Sequence, residues 1–134
     1  MRRLGILRDK GVEQTVHDIL KSRARSRIYI YLLRNSGSKT EEIIKGTKLH
    51  PSTVRETLSK MYDEKQIIRK KIKNDNIGKN PYLFYPIPPM ELLKRHTKEI
   101  EDRLNRLASL SFSKKKQKNR RLVRIKIIER TEEI

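Results

Sequence analysis

The order in which short periodic segments follow one another along residues 22–86 constrains the fold more than any other feature. A helical period over Ser22–Arg34 is separated by the polar residues 35–38 from a short helix predicted over Lys39–Gly46. After a tight connection, a third helix is predicted over Pro51–Lys65. Proline suits the first turn of that helix because its missing N–H and fixed φ cost nothing there. This part of the chain is therefore predicted to be mainly helical.

The pattern changes to a β type after Gln66. The run Ile67–Lys73 is rich in isoleucine, residues 74–81 are dense in turn formers, and Tyr82–Tyr85 are predicted to return as a second strand. A hairpin with a long basic tip is therefore predicted over residues 67–86. Its basic side chains are Arg69, Lys70, Lys71, Lys73 and Lys79.

Helical periods also flank this region. Residues 11–20 repeat apolar side chains at i, i+4, i+7 and i+8, and a longer helix is predicted over residues 88–110. That longer helix carries a seam spaced 4, 3, 4, 3, which is typical of two heptads. The seam consists of Leu93, Thr97, Ile100, Leu104 and Leu107. The helix either packs on its own domain or pairs with a second copy, and we expect a homodimer.

The charge is large and unevenly distributed. The 134 residues hold 34 Lys and Arg against 16 Asp and Glu, a formal net charge of +18. Residues 1–87 hold 20 basic and 9 acidic side chains, residues 88–110 hold 5 and 4, and residues 111–134 hold 9 and 3. A small domain with this surplus repels itself, so an anionic partner is expected. The basic run at 114–121 predicts a disordered arm, and residues 122–128 fit either a strand or a terminal helix.

No constellation of residues points to catalysis, a metal or a cofactor. The chain has no Cys, and none of its three His has a second His at i+4. Neither a Gly-rich phosphate loop nor a nucleophile elbow is present. No apolar run approaches the ~20 residues that cross a bilayer. We therefore expect no enzyme activity, no cofactor, no metal and no membrane partner, and a cytoplasmic location.

Helix, short helix, tight turn, helix and basic hairpin, in that order, describe a winged helix-turn-helix. The predicted fold class is mainly α with a small β-hairpin, followed by a long C-terminal dimerisation helix. A helix fits the ~12 Å-wide major groove of DNA, and a hairpin beside it reaches the backbone or the minor groove. The predicted organisation is a helical extension (1–20), a DNA-binding domain (21–87), a dimerisation helix (88–110) and a basic tail (111–134).

Base contacts are expected from the first turns of the helix predicted over residues 51–65. The polar side chains there are Ser52, Thr53, Arg55, Glu56 and Ser59. Arg55 either pairs bidentately with guanine or clamps a phosphate. Phosphate contacts are expected from the basic hairpin residues and from Lys39, Lys45, Lys48 and Lys60. The strand aromatics Tyr82, Phe84 and Tyr85 either stack on bases or, as is more common, close a core.

Two segments carry a family resemblance. Leu49–Met61, followed by Tyr62–Ile68, resembles the recognition helix and first wing strand of archaeal TrmB-like regulators. Pro81–Leu93 is similar to the second wing strand and the start of the coiled helix in that family. The resemblance covers about residues 20–110, and MarR- and ArsR-type winged helices share its helical portion. It implies DNA binding and dimerisation. The 24 residues after Leu110 are too few for the sugar-binding domain of larger members, so a short form is expected.

The residues and the resemblance together predict a transcription regulator that binds double-stranded DNA in promoter regions sequence-specifically, as a homodimer. Contact with the transcription machinery is a further expectation. The alternative is a chromatin- or RNA-associated structural protein that uses the same charge without reading sequence. The abundance of Ile and Lys fits a thermophilic archaeal source, and an AT-rich genome would give the same bias.

Overall fold

The computed structural model describes residues 10–72, 82–110 and 124–128. The chain divides into two compact units, Met1–Pro89 and Met90–Ile134. The described part of the first unit contains, in chain order, α1 (Lys10–Leu20), α2 (Arg23–Arg34), α3 (Thr40–Thr47), α4 (Pro51–Asp63), β1 (Ile67–Lys71) and β2 (Tyr82–Pro86). The last helix, α5 (Pro89–Ser109), begins at the boundary and continues through the second unit.

The core of the first unit is built from one apolar face of each helix and the inner face of the hairpin. On α2, Ile28 and Leu32 are spaced by four residues and are fully buried. On α4 the spacing of 4 and 3 buries Val54, Leu58 and Met61. The periodicity that predicts these helices therefore also selects the side chains that hold them together. Further buried apolar residues are Val16, Leu20, Tyr29, Ile43, Ile67, Phe84 and Ile87.

Local capping sets where the helices begin. The Ser22 hydroxyl accepts a hydrogen bond from the Arg25 backbone N–H over 3.2 Å at the start of α2. Before α4, Nδ1 of His50 accepts one from the Ser52 backbone N–H, also over 3.2 Å, and Pro51 occupies the first helical position. These contacts fix the start of α4 at the predicted residue.

The end of α4 corrects the prediction that this helix continues to Lys65. The helix ends at Asp63, and Lys65 adopts a left-handed conformation with φ of 59°. The Lys65 N–H donates to the Tyr62 carbonyl (3.1 Å), and the Gln66 N–H donates to the Met61 carbonyl (2.8 Å). These two bonds form a Schellman motif, which ends the helix by turning the chain back on itself.

The hairpin is antiparallel, with Ile67 opposite Pro86 and Arg69 opposite Phe84. Ser38, predicted to lie in a polar break, adds a short bridge on the other edge of β2. Its N–H donates to the Phe84 carbonyl over 3.2 Å, and the Phe84 N–H donates to its carbonyl over 2.9 Å. The first strand ends at Lys71, so the prediction that it extends to Lys73 falls partly outside the described residues, as does the wing tip.

The described part of the second unit consists of α5 and an irregular segment at 124–128. The Asn105 side-chain amide binds the backbone of Ile125 twice: Oδ1 accepts from its N–H (2.6 Å) and Nδ2 donates to its carbonyl (3.0 Å). Oε1 of Glu101 accepts from the Ile127 N–H (2.5 Å). This segment therefore takes neither of the two regular forms considered for it.

Candidate nucleic-acid interface

Helix α4 presents a polar face opposite the apolar face that it buries. Of the five side chains predicted to read bases, Ser52, Arg55, Glu56 and Ser59 are exposed, and Thr53 is half-buried. The apolar positions Val54 and Leu58 lie between them in sequence and point into the core. The structure thus brings all five onto the accessible part of one helix.

Several of these side chains already contact one another. The Glu56 carboxylate pairs with the Lys60 ammonium over 3.0 Å, and both side chains are well exposed. The Ser52 hydroxyl lies 2.8 Å from Nδ1 of His50. Exposed ion pairs of this kind contribute at most about 1 kcal/mol. The contacts are therefore weak enough for both Glu56 and Lys60 to exchange them for a ligand.

The wing divides its basic residues between two faces. Successive strand residues point to opposite sides, so Arg69 shares the inner face with Ile67 and with Phe84 across the ladder. Lys70 lies on the outer face, where its ammonium is 5.1 Å from the centre of the Tyr85 ring. The single group of basic wing residues predicted from the sequence is thus two groups with different surroundings.

Arg69 is held between two aromatic rings on the inner face. Its guanidinium carbon lies 3.9 Å from the ring centre of Tyr62 on α4 and 4.4 Å from that of Tyr82 on β2. Both distances are within the range of cation–π attraction. The side chain is half-buried. This arrangement fixes the wing against the end of α4 and orients the guanidinium.

A small pocket of about 170 Å³ lies beside this stack. It combines the first residue of α3 with residues of α4 and of the wing. Its lining residues are Thr40, Arg55, Leu58, Ser59, Arg69, Tyr82 and Phe84. Two of the side chains predicted to bind DNA from different elements, Arg55 and Arg69, thus line the same cavity.

The predicted phosphate-contacting lysines lie on several elements. Lys39 precedes α3 and Lys45 lies on it, while Lys48 follows it with a left-handed φ of 59°, and all three are exposed. Lys71 is exposed at the end of β1. Lys73 and Lys79 lie outside the described residues.

The apolar seam of α5 is open to solvent in the single chain. Leu93, Leu104 and Leu107 are 42%, 37% and 65% exposed. Thr97 and Ile100 are half-buried. An apolar stripe on one helix that remains this accessible is available for another molecule.

Two parts of this region are not predicted by the sequence pattern. Tyr62 supplies one side of the Arg69 stack, a role that its place in the α4 period does not indicate. Arg25 on α2 donates to the Glu64 carboxylate and to Oε1 of Gln66 (3.3 Å), so it ties α2 to the connection between α4 and the wing. A periodic pattern shows neither contact. Arg25 is about 40 residues from its partners in the sequence, and Tyr62 is separated from Arg69 by the turn between α4 and β1.

The strand aromatics have divided roles. Phe84 is buried, as the core interpretation expects, and so is Tyr29 on α2. Tyr82 and Tyr85 are half-buried and pack against the cationic side chains of Arg69 and Lys70.

Within the described ranges, none of the helices has the length and apolarity that crossing a membrane requires. The same ranges contain no group of three or more His, Cys, Asp or Glu side chains placed to hold a metal ion.

Comparison with known families decides the affiliation of the chain. The model of the TFIIE alpha subunit family matches residues 14–115, which is most of the sequence. The chain belongs to the TFIIE alpha subunit family. This matched stretch includes every element described above except the first turn of α1 and the segment at 124–128. A search of curated proteins finds no match.

Solved structures give the same fold. A possible transcriptional regulator from Methanosarcina mazei Go1 superposes with a TM-score of 0.57 at 20% identity, over 71% of this chain and 83% of that one. A point mutant of S. aureus MepR bound to an oligodeoxyribonucleotide gives a TM-score of 0.50 at 16% identity, over 81% and 79% of the two chains. The fold of this TFIIE alpha family member is therefore the winged helix of transcription regulators, mostly helical with a two-stranded sheet, as predicted.

Proposed function

We propose that this chain is a transcription regulator that binds double-stranded DNA sequence-specifically as a homodimer. In this proposal α4 enters the major groove, and the wing follows the backbone or the minor groove. The observation that carries the proposal is the exposed polar face of α4, which lies opposite its buried apolar face. A helix exposed on one side and fixed by a core on the other can enter a groove without unfolding.

The roles of individual side chains follow from their places on α4 and the wing. We assign base contacts to accessible side chains of the first three turns of α4, namely Ser52, Thr53, Glu56 and Ser59. Arg55 lines a pocket together with the wing, which favours the phosphate clamp over the guanine contact. Backbone contacts are assigned to Lys39, Lys45, Lys48, Lys60, Arg69, Lys70, Lys71, Lys73 and Lys79.

The dimer is assigned to the open seam of α5. That helix has 21 residues and is therefore about 32 Å long. Successive major grooves on one side of a duplex are about 34 Å apart, which is close to this length. A second copy is the partner that presents the same apolar spacing, which a heptad seam requires.

Two further proposals concern the partners of the chain and its division into segments. The family is named for a subunit of a transcription factor, which supports contact between this chain and the transcription machinery. The other is that the chain is a short-form TrmB-like regulator, which the winged-helix fold and the position of α5 after the wing support. Its proposed segments are an extension (1–20), a DNA-binding domain (21–87), a dimerisation helix (88–110) and a tail (111–134).

The deciding experiment is a competition gel shift with upstream regions from the chain's own genome, followed by footprinting. We expect a protected region with fixed boundaries and two halves. Equal competition by scrambled duplex or by structured RNA would instead support the chromatin- or RNA-associated alternative. The surplus of basic residues in 111–134 is the observation that keeps this alternative open.

A matched pair of variants then tests the division of roles on the footprinted site. We expect Glu56→Ala to lower the preference for that site over scrambled duplex, because a carboxylate accepts from cytosine N4 and is repelled by phosphates elsewhere. Lys71→Ala should weaken both duplexes by the same factor. If Glu56→Ala changes the two affinities equally, Glu56 does not read bases.

A further inference from the structure

The pocket that Arg55 and Arg69 share has an excess of positive charge. Among the described residues, neither guanidinium forms an ion pair with a carboxylate, whereas Arg25, Arg95 and Arg103 each do. Two like charges that line one cavity of about 170 Å³ repel each other. An anion bound between them would remove that repulsion.

Arg69 is held in position at this pocket by its aromatic neighbours. Arg69 is half-buried as a residue, and its guanidinium carbon lies 3.9 Å from the ring centre of Tyr62 and 4.4 Å from that of Tyr82. A partly buried charge without a counterion loses hydration, and two π faces offset this loss only in part. The guanidinium itself is a planar fork of N–H donors. Such a planar fork matches two oxygens of a tetrahedral anion.

The rest of the lining narrows the class of ligand. The hydroxyls of Ser59 and Thr40 can donate further hydrogen bonds, and Thr40 is the first residue of α3, at the positive end of that helix. A volume of about 170 Å³ is several times the ~30 Å³ of a water molecule, but it is below the ~300 Å³ at which pockets for drug-sized ligands begin. The pocket suits one small oxyanion, not a large metabolite.

We propose that this pocket binds a single phosphate group through the guanidiniums of Arg55 and Arg69, with Tyr62 and Tyr82 as positioning residues. The proposal deepens the DNA-binding function proposed above. In that setting the group is one backbone phosphate beside the groove that α4 enters. A free phosphate anion has the same chemistry, so it is the alternative source of the bound phosphate group.

The first experiment uses inorganic phosphate and does not depend on DNA. The ¹⁵N-labelled full chain is titrated with phosphate at constant ionic strength, and the Nε–Hε signals of its arginines are followed by NMR. We expect the signals of Arg55 and Arg69 to shift along one saturable curve. Arg55→Gln should weaken this binding at least tenfold, while Arg27→Gln, an exposed arginine on α2, should not change it.

The positioning role has its own readout. Tyr62→Leu and Tyr82→Leu keep every charge, so an electrostatic surface effect would be unchanged by them. We expect each to weaken phosphate binding several-fold and to shift the Arg69 signal in the free protein. Arg55 is exposed, so Arg55→Gln keeps the test valid even if a variant at Arg69 fails to fold. Small, linear shifts spread over all exposed arginines would overturn the site.

The second experiment assigns the source of the phosphate. The footprinted duplex is made with a neutral methylphosphonate at one position at a time, and each is bound to the wild-type chain and to Arg55→Gln. We expect one position per half-site that weakens the wild type at least tenfold but leaves the variant unaffected. That coupling assigns the pocket to the DNA backbone.

The two experiments separate this proposal from the function on which it rests. If the duplex binds but neither phosphate nor any methylphosphonate position couples to Arg55, the pocket is overturned and the DNA-binding function stands. If phosphate saturates the pocket but no duplex binds, the DNA-binding function is overturned, and the site stands as one for a free phosphate anion.

Discussion

At the scale of single residues, Tyr29 joins α2 to the chain that leaves the wing. Its side chain is 1% exposed, and its hydroxyl donates to the Ile87 carbonyl over 2.7 Å. We expect Tyr29→Phe to lower the free energy of unfolding by about 1–3 kcal/mol, because the buried carbonyl loses its partner. Denaturant unfolding at pH 7 measures this. Tyr31→Phe, at a half-buried tyrosine on the same helix, is the control and should change stability by less than about 0.5 kcal/mol.

The same residue gives a pH dependence. Burial raises the pKa of the Tyr29 phenol well above its ordinary value of about 10. The folded state therefore holds this proton more tightly than the unfolded chain does. The stability that the protonated Tyr29 phenol contributes is fully present below pH ~10 and is lost as pH rises above that value. Stability that falls between pH ~10 and ~11 by the same amount in the wild type and in Tyr29→Phe would contradict the raised pKa.

Lys48 carries a conformational cost that glycine would avoid. Its φ of 59° lies in the left-handed region, which costs an L-residue about 1–2 kcal/mol. Glycine has no such cost but loses about 0.5–1 kcal/mol of chain entropy, so Lys48→Gly should stabilise the fold by up to about 1 kcal/mol. Lys45→Gly removes the same charge inside α3 and should destabilise by about 1 kcal/mol. Thermal unfolding of both variants checks the opposite signs, and a decrease in stability for both would show that Lys48 is not strained.

At the scale of elements, the sequence predicts what is set locally. Pro51 with the preceding polar turn places the start of α4 correctly, and the apolar spacing selects its buried face. The end of α4 is missed by two residues because a lysine occupies the left-handed position where glycine is the usual signal. The first residue of each hairpin strand, Ile67 and Tyr82, follows from local composition in the same way.

The site itself could be predicted only in part, for a physical reason. The period of two places Arg69 and Lys70 on opposite faces of β1, but the sequence does not show which face meets α4. That choice is made by tertiary contacts, here the packing of Arg69 between Tyr62 and Tyr82. The pairing of Ser38 with Phe84 on β2 is equally non-local, since the two residues are far apart in the sequence.

The seam of α5 gives a prediction for a whole element. We expect the full chain to be a dimer, and the double variant Leu104→Gln/Leu107→Gln to shift it to monomer in light scattering. The monomer should stay folded, because both leucines are substantially exposed in the single chain. Arg106→Gln is the control, since at about 100° per residue Arg106 lies on the far side of α5 from Leu104. A wild-type monomer at micromolar concentration, or a dimer that survives the double variant, would rule out the seam.

At the scale of the whole molecule, the positive charge is divided unevenly among three segments of the chain. The surplus is eleven in residues 1–87, one in 88–110 and six in 111–134. The first segment contains α4 and the wing, and the near-neutral one contains α5. Repulsion between two copies of the helix is therefore small, which a dimer through α5 requires, while the basic head and tail remain available to phosphates.

This distribution predicts how salt acts on DNA binding. If a bound dimer neutralises about six to ten phosphates, counterion release makes the affinity fall about 10³–10⁵-fold between 50 and 200 mM salt. Replacing Lys114, Lys115, Lys116 and Lys118 with glutamine should reduce the slope of log affinity against log salt by about one for each phosphate that the tail no longer neutralises. Lys98→Gln, in the near-neutral segment, should leave the slope unchanged.

Fluorescence anisotropy with specific and scrambled duplexes measures both slopes. Because sequence-independent contacts act on any duplex, the tail variant must lower the two slopes equally, and a change confined to the specific duplex would place the tail among the base-reading elements instead.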